Sequence, residues 1–427
     1  MSIQEIHQLF LSCTSVSIDT RKIEPNSLFV AIKGERFDAN TFAKEALEKG
    51  ASYVIIDNEN YYIDQQTILV TNSLNTLQEL AQFHRNYLKL PIIALTGSNG
   101  KTTTKELINC VLSKRYRTKA TVGNLNNHIG VPLTLLSFTT TTEIGIVEMG
   151  ANHQKEIEFL CEIAQPDFGY ITNFGKAHLE GFGGVEGVIK GKSEMYSYIQ
   201  KHHKRVVVNL DDAIQEEKTS AIERITFSQK DENAFVYIKG VTANPLVTID
   251  YNAIRIHSHL IGLYNANNII AAITIGAYFE ISDDQIKEAI ESYIPENNRS
   301  QLLTKGTNEI ILDAYNANPS SMKVALENFI QLEKSNKMIV IGDMFELGKD
   351  SLNEHRSIVK QLENQDAISC FFIGKDFCSN ATEKSNFTFF SDFDSFAQFL
   401  KSNPIHNKTL LIKGSRGMAL ERTLDCI

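Results

Sequence analysis

Short apolar runs alternate with amphipathic stretches along the whole chain. Runs at residues 28–32 and 53–56 read as strands, and between them a helical pattern over 41–49 closes at Gly50. These elements predict a small α/β unit over residues 1–90. Further strand-like runs at 91–96, 144–148, 168–172 and 206–209 are interleaved with helical stretches, the pattern of a largely parallel sheet. Polar, helix-breaking Pro295-Glu296-Asn297-Asn298 closes this second unit, 91–298. The third, 299–427, carries four apolar runs at 310–312, 338–341, 371–373 and 410–412, each ending in glycine or a charged residue. It reads as a Rossmann-like α/β unit. Ligands in open α/β sheets collect beyond the carboxyl ends of strands, so a second binding surface is expected there.

Length and composition narrow this picture. A chain of 427 residues exceeds one compact core and suggests about three domains. A net charge of −9 without a basic block argues against nucleic acid, and the densest cationic patch, Lys201-His202-His203-Lys204-Arg205, reads as a solvated helix end. No apolar run approaches membrane-span length, so no membrane insertion is expected. The six cysteines show no metal-ligand spacing and read as free thiols. A cytoplasmic monomer is expected.

The sharpest chemical signal is Gly97-Ser98-Asn99-Gly100-Lys101-Thr102, between an apolar strand and a helix-forming stretch that begins at Thr103. Its glycines let backbone N–H groups and a helix N-terminus face phosphate oxygens, Lys101 neutralises them, and the Thr102 hydroxyl reaches magnesium. Leu95 stands where the full pattern has its first glycine. The bland alternative is an ordinary tight turn between strand and helix. Glu148 ends a strand at the same sheet edge and is a natural second magnesium ligand. His178 follows the next strand, where a metal-ligand or phosphate role competes with that of an ordinary polar residue.

Helix geometry separates two lysines. Lys190 has Glu186 and Glu194 four residues to either side and reads as part of a solvent-facing ion-pair row. Lys192 shares the inward face with Val188, Ile189, Tyr196 and Ile199, where an ion pair, a phosphate contact or chemical modification of a neutral amine would explain it. Asn265 and Asn268 open a helix of small residues, and an asparagine amide suits an adenine edge, with N-capping as the bland reading of Asn265. Arg299 is a candidate phosphate clamp supplied across a domain gap. In the third unit, Asp313-Ala314-Tyr315-Asn316-Ala317-Asn318-Pro319 and Lys413-Gly414-Ser415-Arg416 offer a carboxylate, amides and cations, a set suited to a small zwitterionic acceptor. Turn chemistry alone is the competing reading.

Together these stretches resemble the Mur ligases of bacterial cell-wall synthesis. The phosphate loop is similar to the family's, which also lacks the first glycine, as are Glu148-Met149-Gly150-Ala151, the 173–180 run and Gly191-Lys192-Ser193-Glu194. The resemblance extends to the runs 29–38, Gly123-Asn124-Leu125-Asn126-Asn127, 313–319, 342–348 and 413–416. Tyr264 and His128 depart from the family pattern, standing where histidine and an acidic residue are common. The resemblance implies an ATP-dependent peptide ligase that joins D-alanyl-D-alanine to UDP-N-acetylmuramoyl-tripeptide through an acyl phosphate. It implies two magnesium ions held by Thr102, Glu148, His178 and a carbamate on Lys192, with Lys101 completing the catalytic set. ATP is implied to lie on residues 97–103, Asn268, Arg299 and Asp313. The sugar nucleotide would lie on Ser17, Asp19, Thr20, Arg21, Lys33, Gly34, Arg36, Phe37 and Asp38, with Asn126 and Asn127 contributing. Tyr315, Asn316, Asn318, Lys413, Ser415 and Arg416 would hold the dipeptide. The alternatives are a ligase of the same fold that adds the third residue, one like folylpolyglutamate synthase, or a nucleotide switch that ligates nothing.

Overall fold

Strands rich in β-branched and aromatic residues pair into three sheets in the computed structural model, which describes residues 1–427. The first sheet is parallel, in the order Val16–Ser17, Leu28–Val30, Tyr53–Ile56, Thr67–Leu69. The helix expected over 41–49 is the α-helix Ala43–Glu48, preceded by the 3-10 turn Ala39–Phe42. Asp38 starts that turn by accepting the Asn40 N–H, so the chain enters its α-helical turn later than periodicity indicates.

The second sheet has nine strands. Seven are mutually parallel, in the order Thr118–Ala120, Ile144–Glu148, Ile92–Thr96, Phe168–Ile171, Arg205–Asn209, Glu223–Ser228, Val236–Ala243. Leu246–Tyr251 and Ile254–Ile261 continue it as an antiparallel meander that apolar runs do not reveal, because Leu246–Tyr251 alternates half-buried with buried positions. Ile92–Thr96 and Ile144–Glu148 are buried at every position, which accounts for their continuous apolar character. The third sheet places the antiparallel edge strand Gln301–Lys305 beside five parallel strands, Asn308–Asp313, Thr409–Lys413, Lys337–Gly342, Ser369–Ile373 and Phe387–Phe390.

Helices on both faces fix the strand ends. Lys101–Leu112 packs against Ala266–Tyr278 so closely that a Cβ on Gly276 would lie 2.5 Å from Val111. Ser73–Leu88 joins the first unit to the second by packing on Gly130–Leu136. Beneath that joint, His7 Nε2 is 3.0 Å from His84 Nδ1, and His84 Nε2 is 2.9 Å from the Phe138 carbonyl, both rings being buried. A carbonyl only accepts, so His84 donates from Nε2 and receives the His7 proton at Nδ1, leaving both rings neutral. Burial, reinforced by His84, pushes the His7 pKa down to about 4, and burial lowers that of His84 as well. Between pH 6.5 and about 4 the unfolded chain therefore binds the proton more readily. Stability is expected to be retained above pH 6.5 and to fall by about 3 kcal/mol as pH drops toward 4. Urea titrations at several pH values check this, and His7→Phe should flatten the slope.

Candidate active site

The phosphate loop owes its shape to two glycines at positive φ and to a lattice of hydrogen bonds. A Cβ on Gly97 (φ 143°) would lie 1.9 Å from Thr172 Oγ1, and one on Gly100 (φ 79°) 2.5 Å from Asn268 Oδ1. The Thr172 hydroxyl donates to the Asn99 carbonyl at 2.5 Å, the Ser98 hydroxyl to Gly175 O at 2.7 Å, and the Asn99 N–H to Asn173 Oδ1 at 3.2 Å. Strand Phe168–Ile171 and its following loop thus hold the phosphate loop rigid. Lys101 Nζ donates to Gly97 O at 2.7 Å. Burial lowers its pKa; Glu148 opposes that shift, and nearby Arg299 adds to it.

Glu148 ends the strand that pairs with the one leading into the loop, and it lines the same cavity. One carboxylate oxygen accepts from Asn126 Nδ2 at 2.8 Å, while Oε2 is buried without any partner. An orphaned carboxylate oxygen normally carries a full desolvation penalty, so this atom is shaped for a ligand. Together with the Thr102 hydroxyl, which also lines the cavity, it fits a magnesium ion that takes the rest of its shell from phosphate and water. His178, at φ 52°, contacts the Glu346 carboxylate through Nδ1, leaving Nε2 as its free ring nitrogen.

Lys192 is 1% exposed and has no carboxylate partner. Its ammonium donates to Ala151 O at 3.3 Å and lies 5.2 Å from the centre of the Phe182 ring. Burial, aided by Lys101, holds its pKa well below the usual lysine value. Of the three explanations open from sequence, the ion pair is excluded. Lys190 is exposed, but its expected ion-pair row does not form: Glu194 instead accepts the N–H groups of Lys155 and Glu158 and so caps the helix Glu156–Ala164.

The third unit closes over the loop to form a cavity of about 910 Å³. Arg299 stacks 3.5 Å from the Tyr315 ring centre, its Nε buried and unpartnered, and it lines the cavity near Lys101. Several expected ligand groups are already engaged. Lys413, 2% exposed, pairs with Asp313 at 2.5 Å, so neither carries a free charge. Ser415 is buried, accepting the Phe345 N–H at 2.9 Å, and does not reach the cavity. Asn318 caps the helix Pro319–Gln331 through Ser321 N–H and donates to Asn99 Oδ1 at 2.7 Å, tying the third unit to the phosphate loop. Asn127 Oδ1 accepts from Ile129 N–H at 3.1 Å and from Gly130 N–H at 2.9 Å, bracing the turn that leads into Gly130–Leu136. Asn268 accepts from Thr104 Oγ1 at 3.1 Å and donates to Asn265, whose own amide donates to Ile261 O rather than capping its helix. Thr103, Asn316 and Arg416 remain on the cavity wall.

The first unit's candidates lie outside this cavity. Asp19 and Arg21 form a surface pair at 2.7 Å, and Ser17 is tied to the Asp19 backbone, with Thr20 in the same 3-10 turn. Lys33 and Asp38 close a small turn around Gly34, leaving Arg36 and Phe37 exposed.

Family models match in three blocks: "Mur ligase family, catalytic domain" over residues 12–87, "Mur ligase middle domain" over 95–276 and "Mur ligase, glutamate ligase domain" over 298–416. A Bacillus subtilis UDP-N-acetylmuramoyl-tripeptide--D-alanyl-D-alanine ligase is 34% identical, over 95% of this chain and 91% of its own. The chain belongs to the Mur ligase family. The Escherichia coli ligase of the same name is 30% identical over 99% of this chain and 95% of its own. A crystal structure of MurF from Acinetobacter baumannii superposes with a TM-score of 0.86 at 29% identity, covering 99% of this chain and 97% of that one. MurF ligase from Thermotoga maritima in complex with ADP gives 0.85 at 26% identity, covering 98% and 97%.

Three contacts that no local motif indicates seat the third unit of this Mur ligase. Glu346 meets His178, the Ser320 hydroxyl accepts the Lys176 N–H at 2.7 Å, and Lys176 Nζ pairs with Glu354 at 2.6 Å. The 342–348 run was visible as a motif, but nothing in its spacing indicates that Glu346 faces a histidine 168 residues earlier. Tyr264, at the position that departs from the family pattern, reaches Ser300 at 3.0 Å beside the linker.

Proposed function

We propose that this ligase joins D-alanyl-D-alanine to UDP-N-acetylmuramoyl-tripeptide at the expense of ATP, giving the pentapeptide precursor of peptidoglycan, ADP and phosphate. The observation that carries the reading is that the phosphate loop, the orphaned Glu148 oxygen and the third unit's Arg299 and Arg416 share one cavity. The names of the full-length relatives support the same substrates. Residues 1–90 are assigned to the sugar nucleotide, 91–298 to ATP and 299–427 to the dipeptide, and the reaction to the cytoplasm.

The tripeptide carboxylate and the γ-phosphate are both anionic, so their approach requires preorganised positive charge. Lys101 and Arg299, both on the cavity wall, supply it. Thr102, Glu148 and His178 Nε2 would hold magnesium, which when bound screens the phosphate oxygens. Lys192 is assigned a carbamate: the neutral amine adds to carbon dioxide, an N–C bond forms as one C=O π pair moves onto oxygen, one proton leaves the nitrogen for solvent, and the uncharged amine becomes an anionic oxygen ligand. Its burial, its lowered pKa and its lack of a carboxylate partner support this. The Asn99–Asn318 contact ties the third unit to the phosphate loop, and closure of that unit over the site would keep water from the acyl phosphate.

The decisive test is phosphate release from magnesium ATP and UDP-N-acetylmuramoyl-tripeptide, with and without D-alanyl-D-alanine, and the mass of the product. Release that requires the dipeptide, with a product heavier by one dipeptide residue, is expected. Release indifferent to both substrates would refute the assignment.

A further inference from the structure

Lys105 is fully buried in the helix Lys101–Leu112 and does not line the cavity. A buried ammonium needs partners to offset its desolvation. It has two, the Thr121 carbonyl at 2.5 Å and the Glu106 carboxylate at 2.6 Å. Glu106 is its neighbour in sequence and is partly exposed, a partner that a surface lysine could meet equally well, so this pair does not account for the burial. Thr121 is itself 2% exposed, and its hydroxyl accepts the Glu148 N–H at 3.0 Å. We propose that Lys105 is a positioning residue for the metal site: by pinning Thr121 to the phosphate-loop helix, it fixes the Glu148 carboxylate relative to the Thr102 hydroxyl. The inference rests on the ligase reading above in taking those two groups as magnesium ligands.

Thr102 and Lys105 lie about one turn apart on one helix, so a single rigid element carries the hydroxyl and pins the carboxylate. Sheet topology creates the need for a pin. Thr121 follows Thr118–Ala120, a three-residue edge strand that pairs only with Ile144–Glu148. So short a strand has few ladder bonds to hold its place. Two side chains of the phosphate-loop helix supply the missing restraint. Asn109 accepts the Thr118 hydroxyl at 2.8 Å at the end remote from Glu148, and Lys105 holds Thr121 at the near end. Thr121 N–H then donates to Ile146 O at 2.9 Å, and the chain continues to Asn126, whose amide donates to Glu148 Oε1 at 2.8 Å. The 121–126 segment thus grips Glu148 at its backbone N–H and at one carboxylate oxygen, leaving Oε2 unpaired. Magnesium demands near-ideal octahedral geometry at about 2.0–2.1 Å, so a small drift of this segment costs affinity.

The probe is manganese(II), its binding followed by electron paramagnetic resonance on the full-length enzyme saturated with a non-hydrolysable ATP analogue, so that turnover does not enter. Lys105→Met fills the volume without a donor, and the amide of Lys105→Gln is too short to reach Thr121. Each should weaken manganese binding roughly tenfold, the scale for groups that stand behind a metal ligand, while ADP affinity in EDTA stays at the wild-type value. In the metal-free protein, amide hydrogen exchange over residues 144–150 should quicken, because the Glu148 N–H loses its fixed acceptor. Thr121→Val, which removes the accepting hydroxyl, should reproduce the manganese effect, and Thr121→Ser should not. Val111→Ala trims the core face of the same helix and should leave manganese affinity unchanged. The positioning role is overturned if the Lys105 variants bind manganese as the wild type does, if ADP affinity in EDTA falls in parallel, or if Val111→Ala weakens the metal equally. It is also overturned if neither Lys105 variant folds, since the lysine would then hold the fold itself. Wild-type enzyme that binds manganese but ligates no dipeptide would overturn the function assigned above and not this inference.

Discussion

Lys192→Ala is expected to abolish ligation, lowering kcat by roughly 10²–10³-fold or more, the scale of losing a group that stabilises transition-state charge directly. The loss should not come from unfolding. The side chain is buried against Phe182 and Ala151 with no carboxylate to pair it, so removing the amine relieves a desolvation cost. The longer Lys192→Met should therefore be at least as stable as the wild type and equally inactive. Partial rescue of Lys192→Ala by a short-chain carboxylate is expected, because the alanine leaves room for an oxygen ligand where the carbamate stood. A readout independent of turnover is available: ¹³C-labelled bicarbonate should give a carbamate resonance in the wild type that is absent from Lys192→Met. Wild-type-like activity in Lys192→Ala would exclude the carbamate.

Lys413→Met is expected to destabilise the protein by roughly 3–5 kcal/mol, the scale on which breaking one half of a buried ion pair leaves its partner charged and desolvated. Asp313 retains only the Ser300 N–H at 3.1 Å once Lys413 is gone. Adding Asp313→Asn removes the stranded charge while keeping an acceptor for Ser300, so the double variant should recover most of the stability. Urea unfolding of the two single variants and the double variant measures the coupling. Simple additivity would show that the pair does not act as a unit. A large coupling would confirm that Lys413 serves the architecture of the third unit, not the charge of a substrate.

Much of the chemistry was legible because it is local. A phosphate loop is a run of consecutive residues whose glycines, lysine and threonine act within one turn, so Gly97 to Thr102 could be read directly. The inward position of Lys192 followed from helical period alone. The engaged states of Lys413, Ser415, Asn318 and Asn127 were not legible. Asparagine, serine and lysine have the same donors and acceptors whether they face a ligand, cap a helix or neutralise a buried carboxylate. Lys413 and Asp313 are 100 residues apart in sequence and meet because their strands are adjacent and in register in the third sheet. The antiparallel strands Leu246–Tyr251 and Ile254–Ile261 escaped for a different reason: a strand covered on one face only carries no continuous apolar run.

The sequence by itself determined the alternation of strands and helices, the position of the phosphate loop, the inward lysine and the family, since each depends on residues close in the chain or on motifs of fixed spacing. The tertiary structure decided which charged groups remain free to meet substrates. Burial and partnership are properties of what packs against a side chain, so only the folded chain could show that Glu148 keeps an unpaired oxygen and that Lys413 is neutralised by Asp313.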